Sequence, residues 1–556
     1  MTIGGRNPGW RFAEPVLLGV LLLALIVALQ SLGGAYSNDF GGNSDEPAHF
    51  VSAVMLRDFL LHGGFSHPAA FARSFYLHYP KVAIGQWPPM LYAILGGWMV
   101  VFGVSRAAAL AMIAVAAGAT ATLIYLVGRP RVGRPAALLA CVVFLASPLV
   151  QESSDRVMTE HVVTLLAFAS ALEFARYVRT VRLADAMLFG ILSALAILTR
   201  GSAWPLALVP GLTILLTRRF DLLWRPSLWL SALPVLVTCV PWYLATAKGV
   251  TSSWTTTGGT PYWMIAVPFY ARSIWQGLGS LVAAAALLGC WGSLVRPWAS
   301  RAVDPVYAAL AALLAGTLLL HCAVPTGLSD RFMVAVLPEI VLFAAYGIVW
   351  LAGSLDRMVP RPPWSAVLCL VVALGFLAGT FTVPRTALRF TGFAAAARLL
   401  PSKSATQSPA FLVISDEKGE GAAVAELAID QGWPGSFMLR GSKIFVREDW
   451  LGRGALDRFP TQGDVAKLLD QIPVTGILLD ASIPAYRQEP FQQRVRDTVI
   501  ANSQTWDRVA SLSVDRQGQV FPDAVQVYLR RPVPGSPPPA VDQALLRRLI
   551  FENFDR

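Results

Sequence analysis

A few ionisable residues stand at places where an otherwise apolar chain has no evident use for charge. The first group is Asp45-Glu46-Pro47, with His49 four positions after Asp45. Two adjacent carboxylates followed by proline have the form of a first helical turn starting near Asp45, which would put His49 on the same face. One reading is an N-cap with acids matched to the helix dipole, which needs only one of the two. The other is a positioned aspartate that takes a proton from a hydroxyl or amine nucleophile. Next come Tyr79-Pro80-Lys81 and Gln86-Trp87-Pro88-Pro89. Lys81 is either a point charge for a phosphate or part of a rigid turn leading to the aromatic anchor Trp87. Glu160-His161 open an apolar run, where an ionisable pair is costly and usually functional, and Asp155 competes with Glu160 from the preceding segment. Finally, Arg200 in Leu198-Thr199-Arg200-Gly201 and Arg331 in Ser329-Asp330-Arg331-Phe332 sit at ends of apolar runs. Their forked donors suit a phosphate, although snorkelling to an interface would also account for them.

The elements that position these residues follow from composition. Of 556 residues, 55% are hydrophobic and 14% charged, against roughly 25% charged in soluble proteins. Most of such a chain must face lipid, which excludes a cytosolic enzyme, a disulfide-built secreted scaffold and a disordered chain. The net charge of +11 comes from basic residues that punctuate apolar runs rather than form one face, so no nucleic-acid partner is expected. All five cysteines lie inside apolar runs and read as packing residues. Pro15–Leu32 reads as a retained first span, because no small-residue cleavage site follows it. Further spans are expected at about 106–127, 135–150, 160–177, 186–199, 203–217, 227–247, 278–296, 305–323, 331–352 and 364–383. Trp87–Val104, with two prolines and three glycines, is expected to lie on the membrane rather than cross it. That choice puts Arg129, Arg131 and Arg134, Arg179 and Arg182, and Arg218, Arg219 and Arg225 on the cytoplasmic side together with the N-terminus. Crossing would reverse them all. Eleven spans then leave a long outside loop from about Gly34 to Ser105 and an outside C-terminus.

From about Pro384 the pattern changes. Runs at 411–415, 476–480 and 525–529 read as strands, and 420–432 and 487–501 as helices. The expected fold is therefore an α-helical polytopic membrane body over 1–383 and an extracytoplasmic α/β domain over 384–531. A tail over 532–556 follows, with a Pro-rich linker (Pro532–Pro539) and a short amphipathic helix.

The order of these features resembles the C-type (GT-C) integral-membrane glycosyltransferases, above all the bacterial relatives of protein O-mannosyltransferases and of the lipid A aminoarabinose transferase, over roughly residues 12–352. Asp45 matches that family's first-loop catalytic aspartate and Glu46 its acidic neighbour. Gln86-Trp87-Pro88-Pro89-Met90 matches a Pro-Pro-Leu segment, with Trp87 where Lys or His is common. Arg156 and Glu160 match an Arg-x-x-x-acidic pattern, Leu198-Thr199-Arg200-Gly201 a Leu-Thr-Lys-Gly segment, and Arg331-Phe332 with Pro338 an Arg-Tyr…Pro span start. The resemblance implies an enzyme in the cytoplasmic (inner) membrane that takes a sugar from a polyprenyl-phosphate donor in the outer leaflet. The acceptor, whether protein, lipid or glycan, is left open. It implies inversion at the sugar, with Asp45 as base; Glu46, Glu160 and Asp155 are the other catalytic candidates, and Lys81, Arg200 and Arg331 would bind the donor phosphate. The residues compel no cofactor and leave a divalent metal open, to which Asp45, His49 and Glu160 would offer ligands. The main alternative is a polytopic transporter or lipid-linked sugar flippase; ionisable residues at span ends rather than mid-membrane distinguish the transferase. A non-catalytic scaffold is a further alternative.

Overall fold

The computed structural model describes residues 8–252, 260–359, 363–382, 389–402, 408–447, 455–472, 474–532 and 541–551. Seven of its helices are long and apolar enough to cross a membrane, and four shorter apolar helices accompany them. Each expected span is helical where described. The stretches expected at 106–127 and 135–150 form one helical run, Arg106–Ala146, broken at Gly133, whose φ of 77° only glycine adopts without strain. Helix Met90–Phe102 has 13 residues, about 20 Å of length, which falls short of a hydrocarbon core of about 30 Å.

The chain divides into two compact units. The first comprises residues 1–33, 85–91 and 110–385. Its buried core is dominated by alanine and aliphatic residues, with Phe144, Phe168, Phe174 and Phe343 fully enclosed. Small residues let its helices approach closely. A Cβ at Gly289 would run into the Phe343 carbonyl, and one at Gly347 into the Ala285 carbonyl, so helices Tyr262–Cys290 and Leu337–Met358 touch backbone to backbone.

Two charge clusters mark the ends of helix Glu160–Thr180 in this unit. At one end Asp304 accepts from Arg131 Nε at 2.8 Å and pairs with Arg179. Nearby charges in the same unit include Glu14, 3.2 Å from Arg129 and 2.9 Å from Arg134. At the other end stands Glu160 itself. The helix has 21 residues, about 30 Å, the thickness of a hydrocarbon core.

The second unit comprises residues 34–84, 92–109 and 386–556. It joins helices Asp45–His62 and Pro68–His78 to an α/β fold. The strands are β1 (Phe390–Thr391), β2 (Ala410–Ile414), β3 (Phe437–Arg440), β4 (Val446–Arg447), β5 (Leu456–Asp457), β6 (Val474–Asp480), β7 (Trp506–Arg516) and β8 (Gln519–Arg530). Six form one sheet in the order β1-β7-β8-β6-β2-β3; β4 and β5 pair separately. Strand β2 runs parallel to both neighbours, with Leu412 opposite Leu439 and Ile477, while β8 and β7 are antiparallel. Helices Glu417–Gln431 and Pro490–Ala501 lie close to the ranges the sequence suggests. Most of the expected Pro-rich linker, 533–539, lies outside the described residues; the short helix after it, Gln543–Phe551, buries Leu546, Leu549 and Ile550.

Candidate functional site

Within the first unit, Glu160 opens a helix and its carboxylate meets two arginines brought by other elements. Oε1 accepts from Arg200 Nη1 at 2.6 Å and lies 3.5 Å from Arg331 Nε. Arg200 ends helix Leu183–Thr199 in extended conformation, and its Nη1 also reaches Thr159 Oγ1 at 3.2 Å. The guanidinium lies over two aromatic rings, 4.5 Å from the Phe332 ring centre and 5.7 Å from that of Trp87. Such stacking holds a planar cation in one orientation, as lysine could not. Arg331 opens the 3-10 turn Asp330–Val336, whose Asp330 is anchored by Ser273.

Beside this group lies a small recess lined by Leu149, Glu152, Ser153, Arg156, Met158, Glu160 and Arg331. Arg156 is buried and donates to Glu152 at 3.0 Å, while its Nε has no partner among the described residues. Glu160 Oε2 likewise has none. Two guanidinium groups, two carboxylates and an apolar floor therefore share one small hollow. Asp155, the other acid of this segment, does not line it. Asp155 follows the short helix Pro148–Ser154 and faces Gly33, where a Cβ would stand 2.9 Å from its Oδ2. Gln30 fastens the same corner by donating to the Ser154 carbonyl at 2.8 Å.

Within the second unit, the adjacent acids have different surroundings. Helix Asp45–His62 begins with Ser44 as N-cap, whose side chain makes no capping bond, and carries Asp45 and Glu46 in its first turn. Glu46 is fully buried and accepts from Arg106 Nε and Nη2 at 3.2 and 2.9 Å; Arg106 also holds the Ala35 carbonyl. Asp45 remains half-buried. His49 is buried, with Nδ1 3.1 Å from the Tyr92 hydroxyl. Among the described residues no group of three or more His, Cys, Asp or Glu side chains is arranged to hold a metal ion. Lys81 is buried, and its ammonium lies 3.2 Å from Glu417 Oε1. Burial first, then the nearby Arg440 charge, pull its pKa below the usual lysine value, while Glu417 and Asp45 oppose that shift.

The structure thus brings Glu160, Arg200 and Arg331 together in one unit, and places Asp45, Glu46, His49 and Lys81 in the other. Sequence reasoning overlooked Arg156 as a wall of the recess and Arg106 as the partner of Glu46. The Arg-x-x-x-Glu spacing marked the first; nothing local marks the second, since Arg106 stands 60 residues away.

Residues 86–244 match the family model described as dolichyl-phosphate-mannose-protein mannosyltransferase. That stretch holds Asp155, Arg156, Glu160 and Arg200. No curated protein sequence matches the chain significantly. Among solved structures, ArnT from Cupriavidus metallidurans bound to undecaprenyl phosphate is similar with a TM-score of 0.52 at 16% identity, over 94% of this chain and 98% of that one. The oligosaccharyltransferase of Archaeoglobus fulgidus in the apo form gives 0.54 at 12% identity, over 93% of this chain and 76% of that one. The arabinofuranosyltransferase AftD from Mycobacteria gives 0.50 at 14% identity, over 95% of this chain and 40% of that one. The resemblance read from the sequence is borne out: the fold is that of the C-type glycosyltransferases, and the chain is a membrane protein with a strand-containing C-terminal region.

Proposed function

We propose that the protein is an inverting glycosyltransferase of the cytoplasmic membrane that moves a sugar from a polyprenyl-phosphate donor to an acceptor on the outer face. The observation that carries this reading is the recess walled by Arg156, Arg331 and Glu160 over an apolar floor. A lipid phosphate needs both kinds of lining, forked cations for its oxygens and apolar surface for its chain. The matched family and the similarity to the ArnT structure with undecaprenyl phosphate support this choice of donor class.

In the reaction, an acceptor oxygen or nitrogen attacks the anomeric carbon from the face opposite the phosphate. The bond between that carbon and the phosphate oxygen breaks, and the lipid phosphate leaves with the bonding electrons. Asp45 takes the acceptor's proton. Arg156 and Arg331 stabilise the charge developing on the departing oxygen, as preorganised donors do. Glu160 fixes Arg200 and Arg331 and limits the net positive charge of the site, so that spent carrier can leave. One displacement inverts the configuration of the transferred sugar.

The test is transfer from synthetic polyprenyl-phosphate sugars, assayed with purified wild type and with Arg331→Ala. The expected result is transfer by wild type and a raised donor KM in the variant. No transfer from any such donor, together with undiminished binding of polyprenyl phosphate by Arg331→Ala, would reject the assignment.

A further inference from the structure

In a sheet with parallel strands, the carboxyl ends of those strands form the crevice where α/β domains usually take a ligand. Here Arg516 fills that position between β2 and β6, bonding Asp416, Asp480 and Ser482, and residues of the 34–84 segment cover the adjoining end of β3. At the end of β3, buried Arg440 pairs with Glu420 at 3.0 Å and reaches the Pro80 carbonyl at 3.4 Å. Glu420 also accepts from the Ser442 backbone at 2.8 Å, so this pair is fixed before it meets the loop. One residue after Pro80, Lys81 meets Glu417 in the first turn of the helix that follows β2. On the next turn, Gly421 lies against Pro47; a Cβ there would come within 2.6 Å of the proline ring.

A second attachment lies upstream of Asp45. The Asp39 carboxylate accepts from the backbone N–H groups of Phe393 and Ala394 at 2.9 and 3.0 Å, capping helix Phe393–Arg398, and Asp39 N donates to the Phe390 carbonyl at 2.7 Å. Gly41 packs against the Phe390 ring with no room for a side chain. Burial raises the Asp39 pKa, against the pull of those two N–H groups. The α/β fold therefore grips the chain at Asp39–Gly41 and again at Pro47 and Pro80–Lys81. Asp45 lies between the grips.

We propose that the α/β domain is a positioning clamp for Asp45, with Glu417, Gly421 and Arg440 as its positioning residues. The clamp rests on the reading of Asp45 as the acceptor base, because a base misplaced by about 1 Å can lose up to a hundredfold in rate.

The experiment uses the full chain in lipid nanodiscs and reads hydrogen–deuterium exchange together with turnover. Glu417→Lys sets like charges against Lys81 at a largely exposed position, and Gly421→Ala pushes on Pro47. Each is expected to raise exchange over residues 39–56 and lower kcat about tenfold, with donor KM within about twofold and strand 474–480 still protected. Unchanged exchange over 39–56 or equal loss of protection at 474–480 would overturn the clamp. Raised exchange with unchanged kcat would leave the clamp standing and remove Asp45 as the base.

Discussion

Two buried Glu–Arg pairs carry opposite lessons. Glu46–Arg106 is sealed: its carboxylate is fully enclosed, Arg106 adds the Ala35 carbonyl, and Phe40 lies 5.6 Å beneath the guanidinium. Glu160–Arg200 is equally buried, but Glu160 is shared with Arg331 and both line a hollow with Arg156. The same two residue types thus make a strut in one unit and line a recess in the other. What separates them is adjoining space and a surplus of cations, not the strength of the ion pair. A buried pair by itself is weak grounds for function, because the attraction largely offsets the desolvation of both charges.

Breaking the pairs one at a time should separate these roles. The largest effect is expected where a carboxylate is removed and its arginine stays behind. Glu160→Gln and Glu46→Gln should each cost about 3 kcal/mol of stability, read by thermal unfolding in detergent. Only Glu160→Gln should change donor handling: with Arg331 and Arg200 released, polyprenyl phosphate should bind several-fold tighter, measured by calorimetry. Equal donor binding by both variants would erase the contrast.

A smaller effect is expected from the cations of the recess. Arg156→Ala or Arg331→Ala should weaken binding of polyprenyl phosphate about 10- to 100-fold, the loss of one hydrogen bond to a charged group. Arg106→Met, at the sealed pair, should leave that affinity unchanged in the folded fraction. An Arg156→Ala protein with wild-type donor affinity would take that residue out of the site.

The smallest effect is a dependence on pH in the unit that holds Glu46. Burial, then the neighbouring Asp39 charge, raise the Glu426 pKa to about 8, with Arg106 and Arg398 opposing and Glu46 adding to the rise. A carboxyl whose folded pKa lies above its unfolded value of 4.5 stabilises the fold fully below that value. The contribution is lost as pH rises towards about 8. Stability of this unit should therefore fall across that window, and Glu426→Gln should flatten the slope. An unchanged slope in the variant would show that Glu426 is not the group responsible.

Much of this architecture was legible in the sequence because lipid imposes one clear pattern. Every apolar run long enough to span is helical where described, and the buried strands β2 and β6 stand out as unbroken apolar runs. The long hairpin β7–β8 was only partly visible. Most of β7 is exposed or half-buried, and residues such as Asp507, Arg508 and Ser511 hide its alternation; the local sign was Gln517-Gly518, both at positive φ, as a tight hairpin turn requires. The candidate site was legible to the level of residue type. Glu160, Arg200 and Arg331 could be picked out as charged residues bordering apolar runs. Which of Asp45 and Glu46 would be sealed could not, since that depends on Arg106, and the Lys81 partner Glu417 lies 336 residues along the chain.

The most direct test compares those two neighbours in one assay: transfer of labelled sugar from a polyprenyl-phosphate donor by Asp45→Asn and by Glu46→Gln, corrected for the folded fraction of each. Asp45→Asn is expected to keep donor binding and lose 10²- to 10⁴-fold in turnover, the usual contribution of a general base, while Glu46→Gln turns over near the wild-type rate. Wild-type turnover by Asp45→Asn would contradict the account.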